Sequence, residues 1–372
     1  GESKKNSKDI KSKLTISDKL EKATLYGDIR VRHEYREGDY SATNGSVERT
    51  RERYKVNLGI KTSIANGWYT DLALATGSSG TSDNATMGNT DTSNTKEGLY
   101  VKRAMIGWEA TDWMTVEAGR IKNPLMTTSM IYDGDVTMDG LGFKFNKKLD
   151  NKTDELFSNI LAWQVSGDDK AYEDTAKNSD HTQWLIATQV GAKHKFDGAS
   201  LKGALTYTFV TQDDAEGTWI PSTLGNTQYL NDIRTIEIPL QFKSMAGDLG
   251  VKVFSDYQVN LDGDDRWKAA SNYGDDNDTA YLLGVGFGSA KDFKTWDKGT
   301  MAKNDWKADL WYQKVGTYSA NGNTVDSDFM DSKLNMKGWV LKGQYQIEDN
   351  VQFNLAYGDA KRDDTSIITV GG

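Results

Sequence analysis

The 372-residue chain has no cysteine, only three prolines and no long apolar run. The missing cysteines exclude a disulfide framework and a thiolate metal site. The missing apolar runs exclude membrane-spanning helices, each of which needs about 20 predominantly apolar residues. Few prolines beside 36 glycines suit a strand-rich chain, because proline interrupts a strand ladder while glycine serves turns. Soluble β proteins and membrane β-barrels both remain open, since a barrel strand needs an apolar residue only at every second position.

The charge balance is acidic and the N-terminal segment differs from the rest. The formal net charge of −9 at pH 7 argues against nucleic acid as a partner. Residues 1–22 are lysine-rich, contain no aromatic residue and carry a few apolar residues at near-helical spacing. This composition is typical of a solvated linker or the end of a helical stalk, and a tag or disordered remnant would explain it equally well.

Residues 54–76 show the pattern that the rest of the chain repeats. Tyr54, Val56 and Leu58 alternate with polar or small residues, Asn66-Gly67 then predicts a tight turn, and Trp68 begins a second alternating run. Such a hairpin has one apolar and one polar face. Fifteen segments of this kind, each close to the length of a tilted membrane strand, lie near residues 24–36, 50–64, 68–78, 98–110, 113–122, 136–147, 157–167, 183–196, 200–211, 232–244, 248–259, 279–289, 304–315, 334–347 and 350–361.

The connections between these segments alternate in length. Tight turns follow the even-numbered segments and long polar stretches follow most odd-numbered ones, with longer exceptions near 148–155 and 291–302. A soluble sandwich has no reason to sort its loops in this way, whereas an outer-membrane barrel has short periplasmic turns and long external loops. The sequence therefore predicts an all-β fold: a transmembrane antiparallel up-and-down β-barrel of about 16 strands. Because such barrels have an even number of strands, we expect residues 365–372 to approach the last one.

Three runs resemble general bacterial outer-membrane porins: LYGDIRVRHEYRE at 25–37, VKRAMIGWEATDWMTVEAGRIKNPL at 101–125 and DGLGFKF at 139–145. The resemblance implies a water-filled channel for passive diffusion of small hydrophilic solutes and ions, without enzymatic activity, and a homotrimer in the outer membrane. The lysine-rich residues 1–22 are similar to the stalk end of OmpM-type porins, whose surface-layer-homology domain holds the outer membrane to the cell wall. Residues 1–22 would then be a periplasmic linker and residues 23–372 the pore domain.

Basic residues recur at inward positions of the early segments. They are Arg30, Arg32 and Arg36 in the first segment and Arg51, Arg53 and Lys55 in the second, and we expect Arg103 and Arg120 to extend the group, although the period leaves the facing of Arg120 ambiguous. Guanidinium groups are strongly unfavourable in lipid, so this face must be wet. The alternative is that these are ordinary solvated charges, loosely paired with acids such as Glu34 and Glu52.

The resemblance also suggests where an opposing acidic group lies. In the porins that this chain resembles, a basic wall faces acids on a third loop that folds into the channel. The candidate loop spans residues 123–137, with Asp133 and Asp135 at its tip and Tyr132 beside them. The resulting transverse field would orient dipolar solutes and set ion preference. These residues, with the basic group above, are the predicted constriction.

Other chemistry has little support in the sequence. No Ser/His or Asp/His constellation predicts an enzyme, and no cofactor is expected. The aspartate runs at 262–265 and 275–278 could bind calcium weakly, but they do not have EF-hand spacing, and acidic loops are more often merely solvated. A second function from another class stays open: a structural or adhesive outer-membrane protein that binds partners through its external loops.

Overall fold

A computed structural model describes residues 22–41, 45–78, 80–88, 96–151, 153–166, 183–211, 233–269, 275–289, 301–330 and 334–364. They form one antiparallel sheet with two short helices in its connections. The strands are β1 (Lys22–Ser41), β2 (Gly45–Ser63), β3 (Trp68–Ala75), β4 (Ala85–Thr86), β5 (Tyr100–Thr111), β6 (Met114–Lys122), β7 (Thr137–Lys148), β8 (Asp154–Ser166), β9 (Gln183–Phe196), β10 (Ala199–Val210), β11 (Arg234–Glu237), β12 (Leu240–Ala246), β13 (Leu249–Asn260), β14 (Thr279–Gly288), β15 (Trp306–Val315), β16 (Met336–Glu348) and β17 (Val351–Arg362). The helices are α1 (Gly263–Ala269) and α2 (Ser327–Met330).

One predicted strand, 232–244, is interrupted, and one short strand, β4, lies in the long connection that the sequence predicts after residue 78, so the sheet has 17 strands where the sequence predicts fifteen. Both β3 and β4 pair with β2, one after the other, and the described residues between them, 76–78 and 80–84, are not in the sheet. Both β11 and β12 pair with β10 and with β13. The break between them contains Pro239, which has no backbone N–H to give to a ladder.

Apart from β3 with β4 and β11 with β12, each strand pairs with its neighbours in the chain, from β1–β2 round to β16–β17. When β3 and β4 are counted as one strand, and β11 and β12 as another, the chain crosses the sheet fifteen times in alternating directions. The first and last strands, β1 and β17, therefore run in the same direction, and within the described ranges they are not paired with each other. Two predictions lie outside the described residues: the approach to a last strand at residues 365–372 and nearly all of the linker at residues 1–22. In the part of the chain that is described, neither helix has the length and apolar character to cross a membrane.

The short turns have the backbone that tight hairpins require. In the turn between β2 and β3, Asn66 and Gly67 have φ values of 60° and 79°, as in the type I′ turn that matches the right-handed twist of the strands. Gly198 and Gly247 also have positive φ in the turns before β10 and β13. Asparagine and glycine tolerate this region best, which is why these turns were readable from the sequence.

The outer face of the sheet is apolar and carries aromatic side chains near both ends. On β14, for example, Tyr281, Leu283, Val285 and Phe287 are exposed while their neighbours are not. Beside the short turns, Trp68 stacks on Trp108 with ring centroids 5.5 Å apart. Near the opposite end, the rings of Tyr281, Tyr312 and Trp339 contact one another across three strands. Aromatic belts of this kind lie where hydrocarbon meets headgroups.

The inner face carries many polar side chains beside a buried apolar cluster, and on many strands these polar side chains are covered. The side chains of Gln189, Glu237, Asp256, Gln258 and Gln313 point away from the apolar face and are almost completely buried. What covers them is the chain itself: residues 123–136 and residues 316–327 fold inward against these strands. On β1 and β2 the inward side chains are less completely covered: the arginines there are partly exposed.

Candidate channel constriction

Five arginines on β1 and β2 surround one carboxylate. Glu34 is only 6% exposed and forms ion pairs with a ring of guanidinium groups, those of Arg32, Arg36, Arg49, Arg51 and Arg53. The nitrogen–oxygen distance is 3.1 Å for Arg36 and 3.7 Å for both Arg49 and Arg53. Among the described residues, the five guanidiniums contact two carboxylates, those of Glu34 and Asp328. By this count the cluster holds more positive than negative charge, and its pairing is closer than that of the loosely paired surface charges in the alternative interpretation.

The register of β1 and β2 brings these side chains together. Arg32 lies opposite Arg53, Glu34 opposite Arg51, and Arg30 opposite Lys55. Since residues two apart on a strand share a face, all of them stand on the inner side. Glu52, the other acid considered as a partner, lies on the outer side, where its carboxylate contacts His33 Nδ1 at 2.7 Å.

Two connections close over this arginine cluster. Residues 76–84 contact it through Asn84, whose side-chain oxygen accepts a 2.6 Å hydrogen bond from Arg30 and whose carbonyl accepts one of 3.1 Å from Arg53. Helix α2 contacts it through Asp328, whose carboxylate lies 2.6 Å from Arg32 Nη1 and whose backbone carbonyl accepts a 2.8 Å bond from Arg36. The guanidinium groups thus have defined partners and positions.

The third loop, residues 123–136, crosses to the opposite wall. Gln189 on β9 pairs with both backbone groups of Met126 at 2.8 Å. Farther round the barrel, the hydroxyl of Thr127 donates to Glu237 on β11, and that of Thr128 donates to Asp256 on β13 at 2.6 Å. A segment that leaves β6 and is bonded to β9, β11 and β13 must lie inside the ring of strands, as the porin resemblance implies.

Asp135 and Asp133, the predicted acidic tip, do different things. Asp135 lies 3.9 Å from Lys55 and 3.3 Å from Lys102, so it meets the basic wall. Although burial opposes its ionisation, Lys102 and Lys55 hold the pKa of Asp135 below its usual range. Asp133 instead accepts hydrogen bonds from the backbone N–H and hydroxyl of Ser327 at 2.9 and 3.1 Å, which ties the third loop to α2.

Two loop carboxyls have raised pKa values. Burial and the charge of Asp326 raise the pKa of Asp133 to about 6. Burial and the charge of Asp135 raise the pKa of Asp83 to about 6, against the opposing effect of its ion pair with Lys102. Both carboxyls therefore change charge near pH 6.

Tyr132, Arg103 and Arg120 are not brought to the arginine cluster. Tyr132 packs into the buried apolar cluster beneath the loop, and burial raises its pKa. Arg103 is on the inner face but nearer the short turns, where its Nε lies 3.0 Å from Asp71.

The structure corrects the expectation for Arg120. On β6, Glu117 and Ile121 are buried on the inner side. Arg120 therefore faces outward, in register with Ala104 and Asp139, and its Nη1 lies 2.6 Å from the Asp139 carboxylate.

Lys102 is a constriction residue that the sequence pattern does not reveal. It precedes Arg103, so strict alternation would place it on the outer face. The register of β5 against β3 shifts between Ala73 and Leu74, which marks a β-bulge. A bulge adds one residue to one strand and re-aims its side chain, and Lys102 accordingly reaches Asp83 and Asp135. Within the described ranges, no group of three histidines or carboxylates is arranged to hold a metal ion.

Comparisons with known proteins agree with this geometry. The family model described as "Putative porin" matches residues 28–218, just over half of the chain. None of the curated proteins compared with the chain matches it. Among solved structures, OprB of Pseudomonas putida is 13% identical with a TM-score of 0.52 over 96% of this chain and 94% of that one. OmpF of Salmonella typhi, solved with daunomycin, is 13% identical with a TM-score of 0.50 over 96% of each chain.

These two structures show the same fold, and the match to the family model shows the family. The chain belongs to the porins and is an outer-membrane channel for small solutes.

Proposed function

We propose that this porin passes small anions in preference to cations, and that it selects them between the arginine cluster and the carboxylates of the inward loops. The observation that carries the proposal is the ring of five guanidiniums around the buried carboxylate of Glu34. A fixed excess of positive charge in a water-filled constriction attracts anions and repels cations. The carboxylate of Asp135 on the facing loop makes the field run across the channel.

The test is a reversal potential. Purified protein is inserted into a planar bilayer that separates two KCl solutions of different concentration. Ohmic current steps with a reversal potential of the sign that chloride would give support the proposal. A reversal potential of the opposite sign, or one of zero, would contradict the anion preference.

We also propose that the short turns and the N-terminus face the periplasm. Because the chain has no cysteine, single cysteines can report the side on which each residue lies. Lys268→Cys, on exposed helix α1 in a long connection, should react with a membrane-impermeant maleimide on intact cells. Asp112→Cys, in a short turn, should react only after lysis; the reverse pattern would invert the orientation.

We further propose that three barrels associate. The support is the resemblance to general porins in sequence pattern. Light scattering of the detergent-solubilised protein should give about three times the chain mass of 41.3 kDa, after the detergent contribution is subtracted. A mass of one chain at all protein concentrations would contradict the trimer.

A further inference from the structure

A second cluster of charged residues lines a cavity on the inner wall, between the third loop and the short turns. The cavity has a volume of about 330 Å³ and is bounded by β2, β3, β5, β6, β7 and the start of the third loop. Its charged residues are Lys61, Asp71, Arg103, Glu117, Lys122 and Lys144. This volume is at the small end of the range for ligand pockets, roughly 300 to 1,000 Å³. It therefore suits a small solute.

Both carboxylates of this cavity are already engaged. Asp71 pairs with Arg103 at 3.0 Å and accepts the hydroxyl hydrogen bond of Tyr26. Glu117 accepts hydrogen bonds from Lys144 Nζ and from the Tyr69 hydroxyl, each at 2.6 Å. Two of the four cations, Arg103 and Lys144, are therefore neutralised within the wall.

The other two cations, Lys61 and Lys122, have no carboxylate in an ion pair among the residues that the structure describes. The ammonium of Lys61 lies 4.4 Å from the centroid of the Tyr69 ring. Lys122 ends β6, where the chain turns into the lumen, and its charged neighbours are three cations, Arg103, Lys102 and Lys144, and the carboxylate of Asp71. The cavity thus has two positive charges in excess.

The lining of this cavity is partly apolar. Met105, Pro124 and the ring of Tyr69 line the same cavity. Polar groups that fix the ends of a ligand and apolar groups that cover its middle are the usual composition of a small-molecule site. Inorganic anions would gain the charge interactions alone, whereas a short carbon chain between two anionic ends would gain both.

We infer that this cavity, here called the lysine pocket, binds small organic dianions with two carboxylates. One carboxylate is held by Lys61 and the other by Lys122, and the methylene groups lie against Met105 and Tyr69. Charge-assisted hydrogen bonds from lysine to carboxylate supply the attraction. This inference rests on the proposed function, because the pocket must be reached through an open channel. It adds a solute-binding station nearer the short turns than the arginine cluster.

Succinate is the probe for a test in planar bilayers. Single-channel current is recorded in about 0.1 M KCl, where the Debye length is ~10 Å and charge effects survive. Added succinate should reduce the current in a saturable way. In the Lys61→Gln, Lys122→Gln double variant, we expect the half-blocking concentration to rise about tenfold or more, because two charge-assisted hydrogen bonds are lost. Butyrate, with the same carbon count and one carboxylate, should block far more weakly than succinate.

Two further variants keep the test sharp if the double variant folds poorly. Glu117→Gln removes the charge that neutralises Lys144, so it should lower the half-blocking concentration. The control is the Lys252→Gln, Lys342→Gln double variant. It also removes two positive charges from the inner wall, but outside the lysine pocket, where these lysines pair with Asp309 and Asp326. Succinate should block this control variant at the same concentration as it blocks the unmodified protein.

Three results would overturn the inference: no succinate block, the same block in the double variant, or equal block by inorganic phosphate. Each would be read in channels that conduct KCl normally. A protein that conducts no KCl at all would instead contradict the proposed function, so the two failures can be told apart.

Discussion

Two walls of the barrel face the same channel with opposite chemistry. On β1 and β2 the inward side chains are arginines around Glu34, and their partners are loop oxygens and a few carboxylates. On β9, β11 and β13 the inward side chains are amides and carboxyls such as Gln189, Glu237 and Asp256, which are buried beneath the third loop. One wall therefore presents charge to water, and the other holds a loop in place.

The difference shows that the two walls of one barrel have separate functions: one anchors a loop and the other sets the electric field. A buried amide can make all of its hydrogen bonds at a fixed geometry, which suits anchoring. A guanidinium keeps its charge at every accessible pH, which suits a field that does not vary. If this division is right, changes to the basic wall should alter ion selectivity, and changes to the anchoring wall should alter the steadiness of the current.

The largest effect on ion selectivity is expected from a triple variant in which Arg30, Arg51 and Arg53 are all replaced by glutamine. Removal of three positive charges from the basic wall should shift the reversal potential in a KCl gradient toward cations, far enough to change its sign. The matched control is Arg120→Gln, since this arginine lies on the outer face. An unchanged potential in the triple variant would show that these arginines do not face the ion path.

Acidification should give the next largest effect. The pKa values of Asp83 and Asp133 are raised to about 6, so both carboxyls are mostly charged at pH 7.5 and mostly neutral at pH 5. As the pH falls through 6, the constriction loses nearly two negative charges, and anion preference should rise. The Asp83→Asn, Asp133→Asn double variant should show the acid-state selectivity at both pH values. A pH response that persists in this variant would assign it to other groups.

The third largest effect on selectivity is expected from Glu34→Gln, because this variant removes one negative charge from the arginine cluster. Anion preference should rise, and the barrel should lose about 1 to 3 kcal/mol of stability because the partly buried guanidiniums are left without the carboxylate of Glu34. The urea midpoint of the folded band on unheated gels measures the loss. Glu52→Gln is the control: its exposed pair with His33 on the outer face should contribute about 1 kcal/mol at most. Equal losses in both variants would contradict a special role for Glu34.

The strands could be predicted from the sequence because alternation is a local property. Fifteen alternating segments and their short turns are recovered, with an interruption at Pro239 that a propensity-based reading passes over. The facing of Arg30, Arg32, Arg51 and Arg53 follows from the same period. Where the period is broken, prediction fails: the bulge in β5 turns Lys102 inward, and only the neighbouring strand shows it.

The loop contacts could not be predicted, because they join residues far apart in the chain. Asp133 is bonded to Ser327, and Asp328 to Arg32. No local pattern distinguishes an aspartate that ties two loops together from one that faces the channel. The resemblance to porins indicated that the third loop folds inward, but not which side chains of the opposite wall would receive it.

The smallest effect on selectivity is expected from Gln189→Ala, which changes no charge but removes the anchor of the third loop. The amide of Gln189 makes four hydrogen bonds, two to the backbone of Met126 and one each to Asn159 and Thr206, at 2.8 to 3.0 Å. Without it the partly buried N–H and C=O of Met126 lose their partners, at a cost of about 1 kcal/mol each. The loop should then leave the wall more often, so open-channel noise should increase while the reversal potential stays the same.

Gln352→Ala is the control, because its amide donates to Gln346 near a short turn and does not contact the third loop. A quiet channel with a shifted reversal potential in Gln189→Ala would mean that the anchoring wall also sets selectivity, and the division between the two walls would not hold.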